Sequence, residues 1–203
     1  SFTPNASVAP GSLVAIFGDN LAPSWMPAPD LPLPVSLNGV SVTVNGIPAP
    51  IHFVSPGQIN IQIPYEVTPG TATITVNNQG VSTQTGRRMV EPTAPGIFLN
   101  GDHALAWNHD TSQWNTNTSP APAGGLIIVF TTGAGAVSPA VPTGAGSPEW
   151  PLALPVGRVD ATIGGQPVTV EWAGMTPRCA GVMQAHIRIP QNLPPGNYPL
   201  VIS

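Results

Sequence analysis

The sequence predicts an all-β chain built as two tandem sandwich domains related by internal duplication, and three observations carry that expectation. The first is repetition. Gln58-Ile59-Asn60-Ile61-Gln62-Ile63-Pro64 returns 126 residues later as Gln184-Ala185-His186-Ile187-Arg188-Ile189-Pro190. Gly11-Ser12-Leu13-Val14-Ala15-Ile16-Phe17 returns as Gly124 to Phe130, and Val42 to Pro48 returns as Ala161 to Pro167. Matched blocks in the same order mean one unit of roughly 100 residues used twice. The second observation is punctuation: 27 Pro and 22 Gly, without a collagen-like period, separate short apolar runs. The third is that no window of helical length shows a 3.6-residue apolar period free of Pro or Gly.

The elements follow in order. Ser1–Val8 alternates Phe2, Pro4, Ala6 and Val8 against Ser1, Thr3, Asn5 and Ser7, the two-residue period of a half-buried strand. Pro4 cannot donate to a ladder, so this segment belongs at a sheet edge. Leu13–Phe17 reads as a core strand, and the Pro-rich stretch from Trp25 to Pro34 as a loop. Val40–Val44, Ile51–Val54, Ile59–Ile63 and Ala72–Val76 are short strands spaced by Asn45-Gly46, Pro56-Gly57 and Pro69-Gly70. Asn-Gly between apolar residues is a strong hairpin signal. Val81–Thr85 and Arg87–Val90 close the first domain, 1–91, and Pro92–Pro95 marks the boundary with the second, 92–203. There, Ala104–Asn108 and Gln113–Thr116 read as a hairpin. Leu126–Phe130, Val159–Ile163, Val168–Trp172, Met183–Ile189 and Tyr198–Ile202 read as core strands. Regular short strands with turns between them suggest immunoglobulin-like sandwiches.

Composition narrows the function. Only 7% of residues are charged, lysine is absent, and the net charge is −4. With no stripe of cations to meet phosphates, nucleic acid is not an expected partner. No apolar run approaches the ~20 residues of a membrane span. A lone Cys179 excludes an intrachain disulfide framework. The sequons at Asn5 and Asn117 fit chance occurrence in a chain this rich in Asn, Ser and Thr.

The block Pro10 to Gly18, the Val42–Asn45-Gly46 hairpin, the run Val54-Ser55-Pro56-Gly57-Gln58-Ile59-Asn60 and Ile63-Pro64-Tyr65 together resemble the uncharacterised C-terminal domain of secreted Acidobacteria proteins, the Solibacter-type domain. Pro95-Gly96-Ile97-Phe98 and Thr132-Gly133-Ala134-Gly135 fit the same pattern, so the resemblance covers nearly the whole chain. Such domains are similar to the immunoglobulin-like modules of plexins and transcription factors. The resemblance implies an extracellular β module and brings no catalytic residues. The chain departs from the pattern at His186, where Asn is usual, and in ending before the family's last strand.

The residues themselves do not assemble a catalytic site. The nine carboxylates are scattered singly, with no pair spaced for acid/base work on a glycoside. Asp102, His103, His109 and Asp110 are the one local group of candidate metal ligands, and they read better as a polar hairpin tip. Gly133-Ala134-Gly135 lacks the third glycine and the helix of a nucleotide-binding turn. Cys179 has no histidine brought to it by the sequence, and His186 reads as a solvent-face or interface residue. No catalytic residue, cofactor or metal is expected. Among the tryptophans, Trp107 and Trp172 lie in strand patterns and read as core, while Trp25, Trp114 and Trp150 read as loop residues and candidate glycan contacts.

The functional expectation rests on a missing strand. Fourteen residues, Asn77–Val90, follow Ala72–Val76 and can supply a closing strand, whereas the matching strand of the second domain runs to Ile202 and the sequence stops at Ser203. A sandwich lacking its last strand exposes backbone groups that need partners. An edge of Tyr198, Leu200 and Ile202 could accept the strand Phe2, Pro4, Ala6 and Val8 of another copy. Such contacts join subunits head to tail and do not close. The expected protein is an extracellular, non-enzymatic subunit of a homopolymeric surface filament or sheath. Its partners are copies of itself. The alternative is a cell-surface adhesion module holding a polysaccharide.

Overall fold

The computed structural model describes residues 6–84 and 86–203. Their secondary structure is strand and turn, with no helix among them.

In the first half the principal strands are β1 (Leu13–Phe17), β2 (Val40–Val44), β3 (Ile47–Ala49), β4 (Ile51–Val54), β5 (Gln58–Gln62), β6 (Ile74–Asn78) and β7 (Val81–Gln84). Strands β1, β5 and β4 form one antiparallel layer; β7, β6, β2 and β3 form the other. Alternation sends Val40, Val42 and Val44 from one layer and Ile59 and Ile61 from the other into a shared buried cluster, while their neighbours point outward. A short ladder of Gly70–Ala72 with Arg88–Val90 lies beside them. The two closing runs therefore do different work: Val81–Gln84 extends a layer, and Arg88–Val90 ties the end of the half back onto Gly70–Ala72.

In the second half the principal strands are β8 (Ala106–Asn108), β9 (Gln113–Trp114), β10 (Leu126–Thr132), β11 (Ala161–Ile163), β12 (Gln166–Met175), β13 (Met183–Arg188) and β14 (Leu200–Ile202). The order across the sheet is β9-β8-β10-β13-β12-β11-β14. One long strand, β12, serves both layers. Its first residues pair with β11 and its later ones with β13. In the first half Pro50 divides the corresponding run into β3 and β4, because proline has no N–H for a ladder. The second core gathers Ile127, Val129, Ile163, Ala185, Ile187 and Ile202.

Pairing register is the same in the two halves. Leu13 faces Gln62, Ala15 faces Asn60 and Phe17 faces Gln58; Leu126 faces Arg188, Ile128 faces His186 and Phe130 faces Gln184. The hairpin Val42–Ala49 matches Ala161–Val168. Each half also carries one bulge at the same place, at His52 in β4 and at Glu171 in β12. Strand β14 pairs with β11 as β6 pairs with β2, with Ile202 where Val76 stands.

A third buried cluster joins the halves. Ala134, Val137, Val141, Ala153, Met175 and Met183 of the second half pack with Tyr65 of the first.

Candidate functional site

Among the described residues, β14 is the last strand of its sheet. In the first half β6 carries β7 on its outer side, with Val81 facing Asn78. Its counterpart β14 carries no strand on that side among the described residues. Along it Ile202 is buried, Leu200 half-buried and Val201 54% exposed, so the edge has one core-facing and one solvent-facing row. Tyr198 falls outside the strand. Its ring lies over Gly164 and its hydroxyl donates to the Pro194 carbonyl at 3.0 Å, which ties it to the loop leading into the strand.

Of the segment expected to cross between subunits, Phe2 and Pro4 lie outside the described residues. Ala6 is exposed and irregular. Val8 makes a parallel bridge to Val90: its N–H donates to the Met89 carbonyl at 2.9 Å and its carbonyl accepts the Glu91 N–H at 2.8 Å. Val8 thus anchors to its own half.

Three corrections concern tryptophan. Trp114 sits in a strand, β9, directly opposite Trp107. Trp107 and Trp172 are not core residues. Ala106 and Asn108 on either side of Trp107 are buried, and Trp172 faces His186, whose own neighbours Ala185 and Ile187 are buried, so both rings lie on the outer face, where they are half-buried. Register aligns Trp114, Trp107, Ile128, His186 and Trp172 in one row across five strands. Trp114 and Trp107 meet edge to face at 5.1 Å, and Trp172 and His186 do so at 4.9 Å. The Trp172 ring lies across Gly174, where a Cβ would meet it at 2.3 Å. Trp25 and Trp150, 66% and 87% exposed, take part in no ring contact of this row.

Electrostatics on this face follow from burial and one ion pair. Burial lowers the His186 pKa, the nearby His109 lowers it further, and Glu171 acts in the opposite sense. Arg188 Nε donates to Glu171 Oε1 at 2.7 Å, which holds the Glu171 carboxyl below its ordinary pKa.

The polar groups singled out for chemistry stay apart. Among the described residues, no three His, Cys, Asp or Glu side chains converge as metal ligands would. His103 pairs with Asn100 in a two-residue ladder, while the Asp110 carboxylate accepts the Leu126 N–H at 3.0 Å, a turn-capping role. Burial pushes the Cys179 thiol up, away from the thiolate a nucleophile needs.

The feature that sequence reasoning missed is the seam between the halves. The fully buried Gln62 donates from Nε2 to the Gly11 carbonyl at 3.3 Å and accepts the Gly144 N–H at 2.7 Å. Thr132 Oγ1 accepts the Leu13 N–H at 2.8 Å and donates to the Gly181 carbonyl at 2.7 Å. Thr143 Oγ1 accepts the Tyr65 N–H at 2.9 Å and donates to Glu66 at 2.7 Å. Gly144 and Gly181 have φ of 82° and 68°. Added Cβ atoms would meet Pro50 at 3.1 Å and the Gly11 carbonyl at 2.6 Å, so the seam needs glycine at both places. The three amides of Gln58–Gln62 alternate with Ile59 and Ile61, and nothing in the sequence marks Gln62 as the buried one.

The fold defines an all-β, immunoglobulin-like module. The family model of the IPT/TIG domain matches residues 1–90. Domains of this kind are generally non-enzymatic and are often used in adhesion or extracellular interactions. No curated protein matches the chain.

Proposed function

We propose that this chain is an extracellular, non-enzymatic structural protein, a tandem of duplicated immunoglobulin-like units at 1–91 and 92–203 that polymerises into a surface filament or sheath. The observation that carries the reading is the β14 edge, open among the described residues where its counterpart β6 holds β7. A strand laid there would satisfy the backbone groups along the edge and cover the apolar row beside Ile202. The segment before Val8 of another copy supplies that strand, with Val8 held at Val90 as its fixed end. Deleting Ser1–Ser7 should leave a folded monomer by light scattering and circular dichroism, whereas the parent chain forms filaments of uniform width by electron microscopy. Filaments formed by the deletion variant would remove the strand-exchange step.

A second reading, an adhesion module for a polysaccharide, is favoured by the row of Trp114, Trp107, Ile128, His186 and Trp172. Four strand spacings of ~4.8 Å give it a length of about 19 Å. Electrophoresis through gels containing neutral polysaccharides should then show retardation of the parent chain and not of Trp114→Ala. Loss on Trp25→Ala or Trp150→Ala instead would move the contact to the loops.

A further inference from the structure

The seam inside the molecule has an unused counterpart on its surface. Call the Leu13/Gln62 end of the first layer its base, and the Phe17/Gln58 end its tip. By shared register, the base of the second half is at Leu126/Arg188 and its tip at Phe130/Gln184, where the ladder runs one pair further to Thr131/Met183. Within the chain, the tip of the second half docks on the base of the first. Thr132, Thr143, Gly144 and Gly181 meet Gly11, Leu13, Pro50, Gln62 and Tyr65.

The corresponding base of the second half is an open cleft of about 470 Å³, lined by Gly124, Thr169, Arg188, Ile189, Pro190 and Gln191 among others. By the repeat, Gly124 stands where Gly11 does, Thr169 where Pro50 does, Arg188 where Gln62 does, and Gln191 where Tyr65 does. The likeness extends to a bond. Gln62 Nε2 donates to the Gly11 carbonyl, and Arg188 Nη1 donates to the Gly124 carbonyl at 3.1 Å. Gln62 also offers an acceptor to the incoming Gly144 N–H, which a guanidinium cannot do. Arg188 is held on its other side by the Glu171 carboxylate at 2.7 Å, beyond the cleft lining. The cleft therefore keeps the donor that fixes its own rim.

We propose that this cleft is the docking socket for the next copy of the chain, whose first-half tip enters it as the second-half tip enters the first-half base. That tip is formed by Gly18–Asn20 and the Pro56-Gly57 turn, tied together by the Gly18 N–H to Gly57 carbonyl bond, with Phe17 62% exposed beside them. Continuity with the internal seam selects this occupant, because repeating one base-to-tip contact along successive units builds an unclosed, heterologous array. The proposal rests on the assembly reading above and names its interface.

The test uses the full chain. A photo-crosslinking benzophenone side chain installed at Gln191 should give inter-subunit adducts on peptides containing residues 18–21 or 55–58. Thr169→Trp, an exposed substitution that fills the cleft, should cut the assembled fraction at least about tenfold with the thermal midpoint unchanged. Filaments undiminished by Thr169→Trp, or adducts only on other peptides, would overturn the socket while leaving the assembly itself standing. A parent chain that stays monomeric at every concentration would remove both.

Discussion

At the residue scale, burial sets two titrations with opposite signs. Burial pushes the Tyr65 hydroxyl up to about 12, and Tyr65 packs in the cluster that joins the halves. Its folded pKa lies above the unfolded value near ~10, so its contribution is intact below pH ~10 and is lost as pH rises from there toward 12. Urea unfolding should weaken across that window by on the order of 2 kcal/mol, and Tyr65→Phe should flatten the decline. His186 behaves in reverse. Its folded pKa is depressed, so stability is full above the ordinary histidine value near ~6.5 and declines as pH falls below it. His186→Asn, which places in β13 the residue found at Asn60 in β5, should abolish that acid dependence in thermal unfolding. Alternation along Met183–Arg188 made the outward position of His186 legible from sequence. The same rule left Trp107 and Trp172 ambiguous. A period of two assigns residues to alternate faces but does not say which face is the core, and large rings bias the choice inward. Buried alternates decide it, Ala106 and Asn108 beside Trp107, and Ala185 and Ile187 beside the His186 that Trp172 faces, and only packing reveals them.

At the scale of elements, strand positions were readable because Asn-Gly and Pro-Gly turns bracket the apolar runs. The errors were at boundaries. Tyr198 reads as strand by hydrophobicity, yet the strand begins at Leu200 and the Tyr198 hydroxyl is engaged by Pro194 in the loop before it. Strand β12 runs longer than expected because no proline divides its later part as Pro50 divides β3 from β4. The seam was illegible for a different reason: its partners are more than 75 residues apart for the Gln62–Gly144 bond, and no local pattern encodes such a pairing. Its energetics are testable. Gln62→Leu keeps the volume but leaves the Gly144 N–H and the Gly11 carbonyl without Gln62, at on the order of 1–3 kcal/mol for each buried group. Thr132→Val should behave similarly at Leu13 and Gly181. Denaturant titration of each variant checks the loss, and a change under about 0.5 kcal/mol would mean that water replaces the side chain.

For the whole molecule, the seam and the Tyr65 cluster couple two sandwiches that each have their own core. Calorimetry of the parent chain should therefore show one cooperative transition, and Gln62→Leu should split it into two as the halves unfold separately. The repeat itself was the clearest signal in the sequence, and the shared register explains why. Preserving Gln58/Gln184 and Leu13/Leu126 preserves which residues face each other across the ladder, down to the bulges at His52 and Glu171.

That common register also has a kinetic side. Strand β1 presents to β13 nearly the same apolar row that it presents to β5, so a refolding chain has two competing partners for each of these strands. Mispaired, domain-swapped species are the expected by-product, and the chief local discriminators are the residues that differ between copies. Gln62 accepts the Gly144 N–H, whereas the Arg188 guanidinium has no acceptor to offer. Exchanging them as Gln62→Arg and Arg188→Gln would blur that distinction, and refolding yield after rapid dilution should fall more steeply with protein concentration than it does for the parent chain.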